Sequence, residues 1–455
     1  MKNMIRIASG QGFWGDLLRA PIDQVRCGQI DYLTMDYLAE VTMSIMKRQQ
    51  LKNPSAGYAR DFPEVIKEIL PDIKAKGIKV ISNAGGVNPI GCRDKIVQYA
   101  KELGITDLKI AVVYGDNILD QITELQSKGA PLNNMETDEP ISKVQDKLVS
   151  ANVYYGAKPM VEALQQGADI IVTGRVTDTG LVLAPMIYEF GWSMEDWDKM
   201  ASGTIAGHIL ECGAQSTGGN FTDWFKVEGF ENIGFPICEA FPDGTFVITK
   251  HENLGGLVNE MTIKEQLLYE IGNPAEYITP DCIADFTSIQ LQQIGEHRVK
   301  VFGITGKPAT PFYKVSCAYQ DGWKSTTTLT YSWPQAKIKA LKAADILKKR
   351  LDNLGLHFDE YRAELVGYNA CHENTAKPVQ NEDDINEVQL RVSVRGKDIK
   401  AMEAFGKEIA PLILTGPSAV TGFAGGRPTP SEIMAYWPAL IRKELCQPIV
   451  EIVQI

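Results

Sequence analysis

The chain has 455 residues, 44% of them hydrophobic and 23% charged, an ordinary balance for a soluble globular protein and a length that calls for two domains. A formal net charge of −11 argues against nucleic acid or an anionic membrane as the main partner, because either needs a basic footprint, while leaving room for a local basic pocket for a small anion. No apolar run approaches the roughly 20 residues that cross a bilayer.

In chain order, the first element is a strand, IRIAS (Ile5–Ser9), entered directly after MKNM with no secretory leader. Ile22–Cys27 is a short helical piece. Asp61–Lys76 carries Val65, Ile66, Ile69, Leu70 and Ile73 on one helical face, with Pro71 expected to kink or split it and Gly77 to close it. The strand IKVIS follows at once. Cys92–Leu103 is a second amphipathic helix, ended by Gly104 and followed by the strand LKIAVV. Asn117–Lys128 is a third helix. Ser127–Val149 is polar and breaks the pattern, as a lid or as a solvated surface loop. Pro159–Gln166 leads through Gly167 into DIIVTG.

This alternation predicts an α/β fold with a largely parallel, doubly wound sheet in the amino-terminal half. A TIM barrel would need about eight such units, and about five or six are visible. After Trp197 the texture changes, and the boundary is placed near residue 215, giving domains over 1–215 and 216–455, the second of α+β type. There, KVSCAYQDGWKSTTTLTYSW reads as a hairpin turning at Asp321-Gly322. Pro334–Asn353 is a Lys-rich helix, YRAELVGYNA and VQLRVSVRG are strands, and Lys397–Ile413 is a helix. Leu414–Pro430 is a Gly-rich loop. The eight cysteines include no C-x-x-C pair and read as reduced thiols in a cytoplasmic protein.

Four junctions, Ile5–Asp16, Lys79–Pro89, Lys109–Asn117 and Asp169–Asp178, end an apolar run in Gly, Asn, Asp or Arg before a helix. Ligands on open parallel sheets lie beyond such carboxyl ends. In NAGGVNP, Asn83, Gly85 and Gly86 would let backbone amides meet a carboxylate or phosphate; alternatively the glycines only make a tight turn. It is neither a dinucleotide fingerprint nor a P-loop. In GRVTD, Arg175 could present its planar fork to an anion, with Asp178 as base or orienting group, or the two could pair as a helix cap. Asp16, Asp36, Glu40 and Asp116 end other junctions; converging, they would suit a general acid/base pair or a divalent cation, and singly they are ordinary caps.

Of five histidines none stands in a zinc-binding spacing, and His208 is the candidate acid/base, or a satisfied core residue. Gly218 and Gly219 in AQSTGGNFTDW, and Arg427 in FAGGRP, could add anion contacts. No nicotinamide, flavin or serine-nucleophile signature occurs, and no cofactor is identified.

The motifs GFWGD, DYLAEVTMSI, AGYARDF, NAGGVNP, GRVTD, ECGAQSTGGNF and YEIGNPAEYITPD, in this order, resemble the acyclic terpene utilisation (AtuA-like) family from Ile5 to about Arg427. The resemblance implies a place in bacterial catabolism of acyclic terpenes such as citronellol and geraniol, although members are more widespread than that pathway. Some members carry an extra carboxyl-terminal domain of about a hundred residues, which in others is a separate chain. Ending at Ile455, this chain is similar to the unfused kind, so a small partner subunit is expected, in a homo- or hetero-oligomer.

The expected activity is addition or elimination of water, or isomerisation, on a small carboxylic acid or its CoA thioester. Asp36, Asp116, Asp178 and His208 would serve as acid/base groups, with Arg175 and the Asn83–Gly86 amides as the anion clamp. Two alternatives stand beside it: a subunit that forms a site only with its partner, and a thioester or ester hydrolase.

Overall fold

The computed structural model describes residues 2–39, 41–422 and 426–455. The elements follow in order as β1 (Ile5–Gln11), α1 (Ala20–Arg26), β2 (Tyr32–Met35), α2 (Thr42–Lys52), α3 (Asp61–Lys76), β3 (Lys79–Ser82), α4 (Pro89–Glu102), β4 (Lys109–Tyr114), α5 (Ile122–Ser127), β5 (Leu148–Val153), α6 (Lys158–Gln165), β6 (Ile170–Thr173), α7 (Gly180–Phe190) and α8 (Trp197–Glu211). Next come β7 (Ile237–Ala240), β8 (Phe246–Thr249), α9 (Glu260–Leu268), β9 (Tyr277–Ile278), β10 (Ile283–Asp285), β11 (Gln290–Gly295), β12 (Arg298–Phe302), β13 (Thr305–Lys307) and β14 (Phe312–Ser332). The chain closes with α10 (Ala336–Asn353), β15 (Glu360–Val366), β16 (Glu387–Gly396), α11 (Ile399–Ile409), α12 (Leu412–Thr415), β17 (Val420–Thr421), β18 (Ser431–Arg442) and β19 (Ile449–Gln454). Two compact units result, Met1–Ala318 with Tyr436–Ile455, and Tyr319–Ala435.

The larger unit is built on a 10-stranded sheet of order β11-β12-β8-β7-β1-β2-β3-β6-β4-β19. Strands β1, β2, β3, β6 and β4 pair parallel. On both flanks the pairing is antiparallel, through β7, β8, β12 and β11 on one side and β19 on the other. The sheet is therefore mixed, and the largely parallel, doubly wound expectation holds only as a mixed α/β fold. Strands β2 and β6 are buried along their whole length, which is why they read as apolar runs without alternation. The boundary expected near residue 215 falls inside this unit, just after α8, because β7 onward continues the same sheet instead of starting another.

Helix α3 shows how the pattern places the core. Val65, Ile66, Ile69, Leu70 and Ile73 are all buried, packed with Leu33, Val80, Ile96 and Ile170. Each such side chain contributes about 1.5–3 kcal/mol by leaving water. The helix runs unbroken through Pro71, and Gly77 ends it in the left-handed region at φ 67°. The polar Ser127–Val149 segment is ordered by two turns, with Leu132 and Ile141 fully buried and the Met135 amide donating to the Pro438 carbonyl at 2.9 Å.

In the smaller unit β15, β16 and β14 form an antiparallel sheet, and β16 alternates buried and half-buried residues through most of its length. Leu347 of α10 and Met402 and Phe405 of α11 pack with Leu390 and Val392 of β16. The hairpin expected at Asp321-Gly322 is absent: β14 is one 21-residue strand through that dipeptide. Asp321 is held by ion pairs from Arg395 and Lys397, and Trp323–Ser332 pairs continuously with β16, so the strand has a partner instead of turning back on itself.

Candidate active site

Because β2, β3 and β6 are parallel neighbours, their carboxyl ends bring Asp36, Asn83 and the Gly174–Asp178 turn together. Asn83, wholly buried, organises the junction: its Oδ1 accepts from the Tyr37 amide at 2.7 Å, and its Nδ2 donates to Asp36 Oδ1 at 2.6 Å and, at a longer 3.4 Å, to Asp178 Oδ1. Asp36 Oδ1 also accepts from the Leu38 amide at 3.0 Å. Arg175, only 2% exposed, donates from Nη1 to the Leu38 carbonyl at 2.6 Å and from Nη2 to both Asp178 oxygens at 2.8 and 2.9 Å. Its guanidinium lies over the Tyr154 ring, Cζ 4.0 Å from the centroid. Asp178 is the member most open to solvent, its side chain 28% exposed.

Two carboxylates thus share one guanidinium and one amide. Burial pushes Asp36 up to about 6, against the pull of Arg175 and the hydrogen bonds from Asn83 and Leu38. Burial likewise pushes Asp178 up; Arg175 pulls it down, and the charges of Asp36 and Glu211 add to the upward push. A pair of this kind gives up its two protons in separate steps. One member can therefore hold a proton at a pH where the other is ionised.

Asp116 lies one strand further along. Its Oδ2 accepts from the Arg175 amide at 3.0 Å and from Asn152 Nδ2 at 2.7 Å, and burial raises it to about 6. It fastens the turn that carries Arg175, and it walls a cavity of about 220 Å³ shared with Gly86–Ile90 and Tyr114–Asn117. In NAGGVNP the Gly86 amide donates to the Asn83 carbonyl, the Val87 amide to that of Gly57, and the Asn88 amide to those of Gly85 and Gly57, so these amides are engaged in the loop's turn and in its seat on the Gly57 backbone. Gly85 is required by close approach, since a Cβ there would stand 2.6 Å from the Thr173 carbonyl oxygen.

His208 is buried in α8. Its Nε2 lies 2.9 Å from the Gln266 carbonyl, which only accepts, so Nε2 carries a proton. Its Nδ1 lies 2.8 Å from Glu211 Oε1, which leaves one further proton shared between imidazole and carboxylate. Glu211 is the part of this pair whose charge reaches Asp36 and Asp178.

The remaining expected residues lie apart from the cluster. Asp16 accepts from the Gly12 and Leu17 amides and caps its own loop. Gly218, at φ 103°, and Gly219, whose amide donates to the Ala214 carbonyl, form the turn after α8. Arg427 is exposed; Glu40 and residues 423–425 of FAGGRP lie outside the described residues.

Two residues of the cluster were not singled out from sequence. Glu211 stands three residues after His208 on a helix, a spacing that predicts their contact. Tyr154, buried beneath Arg175 with burial raising it to about 12, has no sequence signal, since it is placed by long-range backbone bonds at the end of β5, the Val153 amide donating to the Asp116 carbonyl at 2.8 Å and the Tyr154 amide to the Lys314 carbonyl at 2.9 Å. Among the described residues, no group of three or more His, Cys, Asp or Glu side chains is arranged to hold a metal ion, and no helix is long and apolar enough to cross a membrane. The eight cysteines are free thiols.

A mixed α/β chain with a buried carboxylate cluster at its strand ends is the class that fold and site define. Residues 5–452 match the model of the acyclic terpene utilisation family protein AtuA, and the chain belongs to that family. No curated protein and no solved structure matches it.

Proposed function

We propose that the chain is an enzyme of acyclic terpene utilisation that adds or eliminates water, or moves a double bond, on a small unsaturated or branched carboxylic acid or its CoA thioester. The observation that carries this reading is the Asp36–Asn83–Asp178–Arg175 cluster, with Asp36 raised to about 6. Hydration and double-bond migration both need one group to take a proton from carbon or water and another to return one, within one site. Asp178, the more exposed carboxylate, is suited to meet the substrate, and Asp36, held beside it by Asn83, is suited to complete the acid/base pair. Arg175 holds Asp178 in position and limits the charge that builds up as the proton leaves.

The test is incubation of purified protein with a branched α,β-unsaturated acid and its CoA thioester in deuterated, ¹⁸O-labelled water. Deuterium or ¹⁸O incorporation, abolished by Asp178→Asn, is expected. Release of free thiol without incorporation would instead mean thioester hydrolysis.

One observation favours a second reading. The loop amides of Gly86, Val87 and Asn88 and the Arg175 guanidinium are engaged within the chain, which favours an anion contact supplied by a small partner subunit. Incorporation seen only on adding such a subunit would decide for it.

A further inference from the structure

A second cavity, of about 640 Å³, lies over strands β1, β7, β8 and β12 and shares no residue with the carboxylate cluster. Its floor holds an imbalance of charge. Glu239, buried on β7, receives the fork of Arg298 at 3.3 and 2.5 Å. The same carboxylate lies 3.8 Å from Arg6 Nε, beyond hydrogen-bond length, and Arg6 Nε is buried without a hydrogen-bond partner, the Asp31 carboxylate being taken by the Arg6 backbone amide. Lys250 is only 5% exposed, and its ammonium donates to two neutral carbonyls, Leu254 at 2.6 Å and His251 at 3.4 Å. Three cations therefore face one buried carboxylate. The other acids of the lining, Glu252 and Glu296, are exposed at the rim, where solvent screens them.

Buried ammonium groups are rare without a counter-charge, because desolvation favours the neutral form. Burial does lower the pKa of Lys250. The surrounding histidines add directed groups: His251 Nε2 donates to the Gln24 carbonyl at 3.0 Å, and His297 Nδ1 accepts from the Val258 amide at 3.2 Å, so His297 Nε2 carries a proton. Arg6, the third Lys250 proton and His297 Nε2–H are thus donors at one cavity, whose volume suits a small organic ligand.

We propose that this cavity is a binding site for a phosphate-bearing small molecule, its phosphate seated between Arg6 and Lys250. Glu239 is paired with Arg298, so among the described residues Arg6 and Lys250 are the lining cations with no carboxylate hydrogen-bonded to their side chains, and a phosphate can meet both at once. The site is independent of the activity proposed for the carboxylate cluster.

The test uses the full chain and inorganic phosphate at constant ionic strength, read by thermal shift and by ³¹P line width, with sulfate, acetate and chloride as separate arms. Phosphate should raise the melting midpoint with a dissociation constant below about 1 mM. Sulfate should act in the same direction and acetate should not. Arg6→Gln and Lys250→Met should each weaken phosphate binding at least about tenfold. Lys250→Met should also raise the midpoint in the absence of phosphate, because it removes a buried charge. An equal phosphate response in both variants and the parent would overturn the site, as would no response in the parent. Acetate matching phosphate would overturn the phosphate assignment. If Lys250→Met does not fold, Arg6→Gln decides alone.

Discussion

At Arg175 a single buried cation meets the Leu38 carbonyl, the Asp178 carboxylate and the Tyr154 ring. Removing it would leave two carboxylates facing each other without compensation. Arg175→Met should lower unfolding free energy by about 3 kcal/mol in chemical denaturation at pH 8. The deficit should shrink toward pH 4, where the acids are protonated; a pH-independent loss would mean that Arg175 acts only by packing.

The sign for Asp36 is opposite to that of an ordinary surface acid. Raised to about 6 when folded, it binds its proton more tightly than in the unfolded chain. Its contribution is full below about pH 4 and is lost as the pH rises through about 6. Asp36→Asn, which has no proton to lose, should therefore gain on the parent by about 1–3 kcal/mol between pH 4 and pH 8. Urea melts at the two values check this, and parallel profiles would refute it. For His208, ¹⁵N NMR should find the Nε2-protonated form and not the Nδ1-only tautomer, since the Gln266 carbonyl accepts from Nε2. A resonance showing the other tautomer would contradict the geometry.

At the scale of elements, the strand-end turns depend on backbones that approach closely. Helices α7 and α8 meet where Gly207 faces Thr179, and a Cβ at Gly207 would stand 2.5 Å from the Thr179 carbonyl oxygen. Gly207→Ala should lower stability by about 1–3 kcal/mol in denaturant melts. It should also disturb Asp178, the neighbour of Thr179, more than Asp116. The β14 strand shows the limit of local reading. Asp-Gly between alternating runs favours a hairpin, yet Arg395 and Lys397 hold Asp321 and the paired β16 carries the strand on. By contrast the bounds and buried face of α3 were readable, though not its continuity through Pro71, because its apolar spacing and Gly77 stop are local properties.

For the molecule as a whole, the two compact units carry separate cores, with Leu390, Val392 and Phe405 at the centre of the smaller one. Residues 319–435 expressed alone should unfold cooperatively, by circular dichroism with heating; a gradual, non-cooperative loss would mean that this core is not self-sufficient.

The alternation of strand and helix, the apolar faces, the excess of acid and the strand-end position of Asn83, Asp116 and GRVTD could be read from the chain itself, because periodicity and punctuation act over a few residues. The Arg175–Asp178 ion pair was legible as one of two readings, since three residues separate its partners. Which ends are neighbours was not. Asp36 and Asn83 meet only because β2 and β3 pair in parallel, and Asp116 stands apart from them because β6 lies between β3 and β4. Tyr154 beneath Arg175, and Lys250 buried opposite Arg6 and Arg298, likewise depend on contacts between residues far apart in the chain. Local pattern determines which elements form, whereas strand order and burial decide which charges share a cavity and how far their protons are displaced.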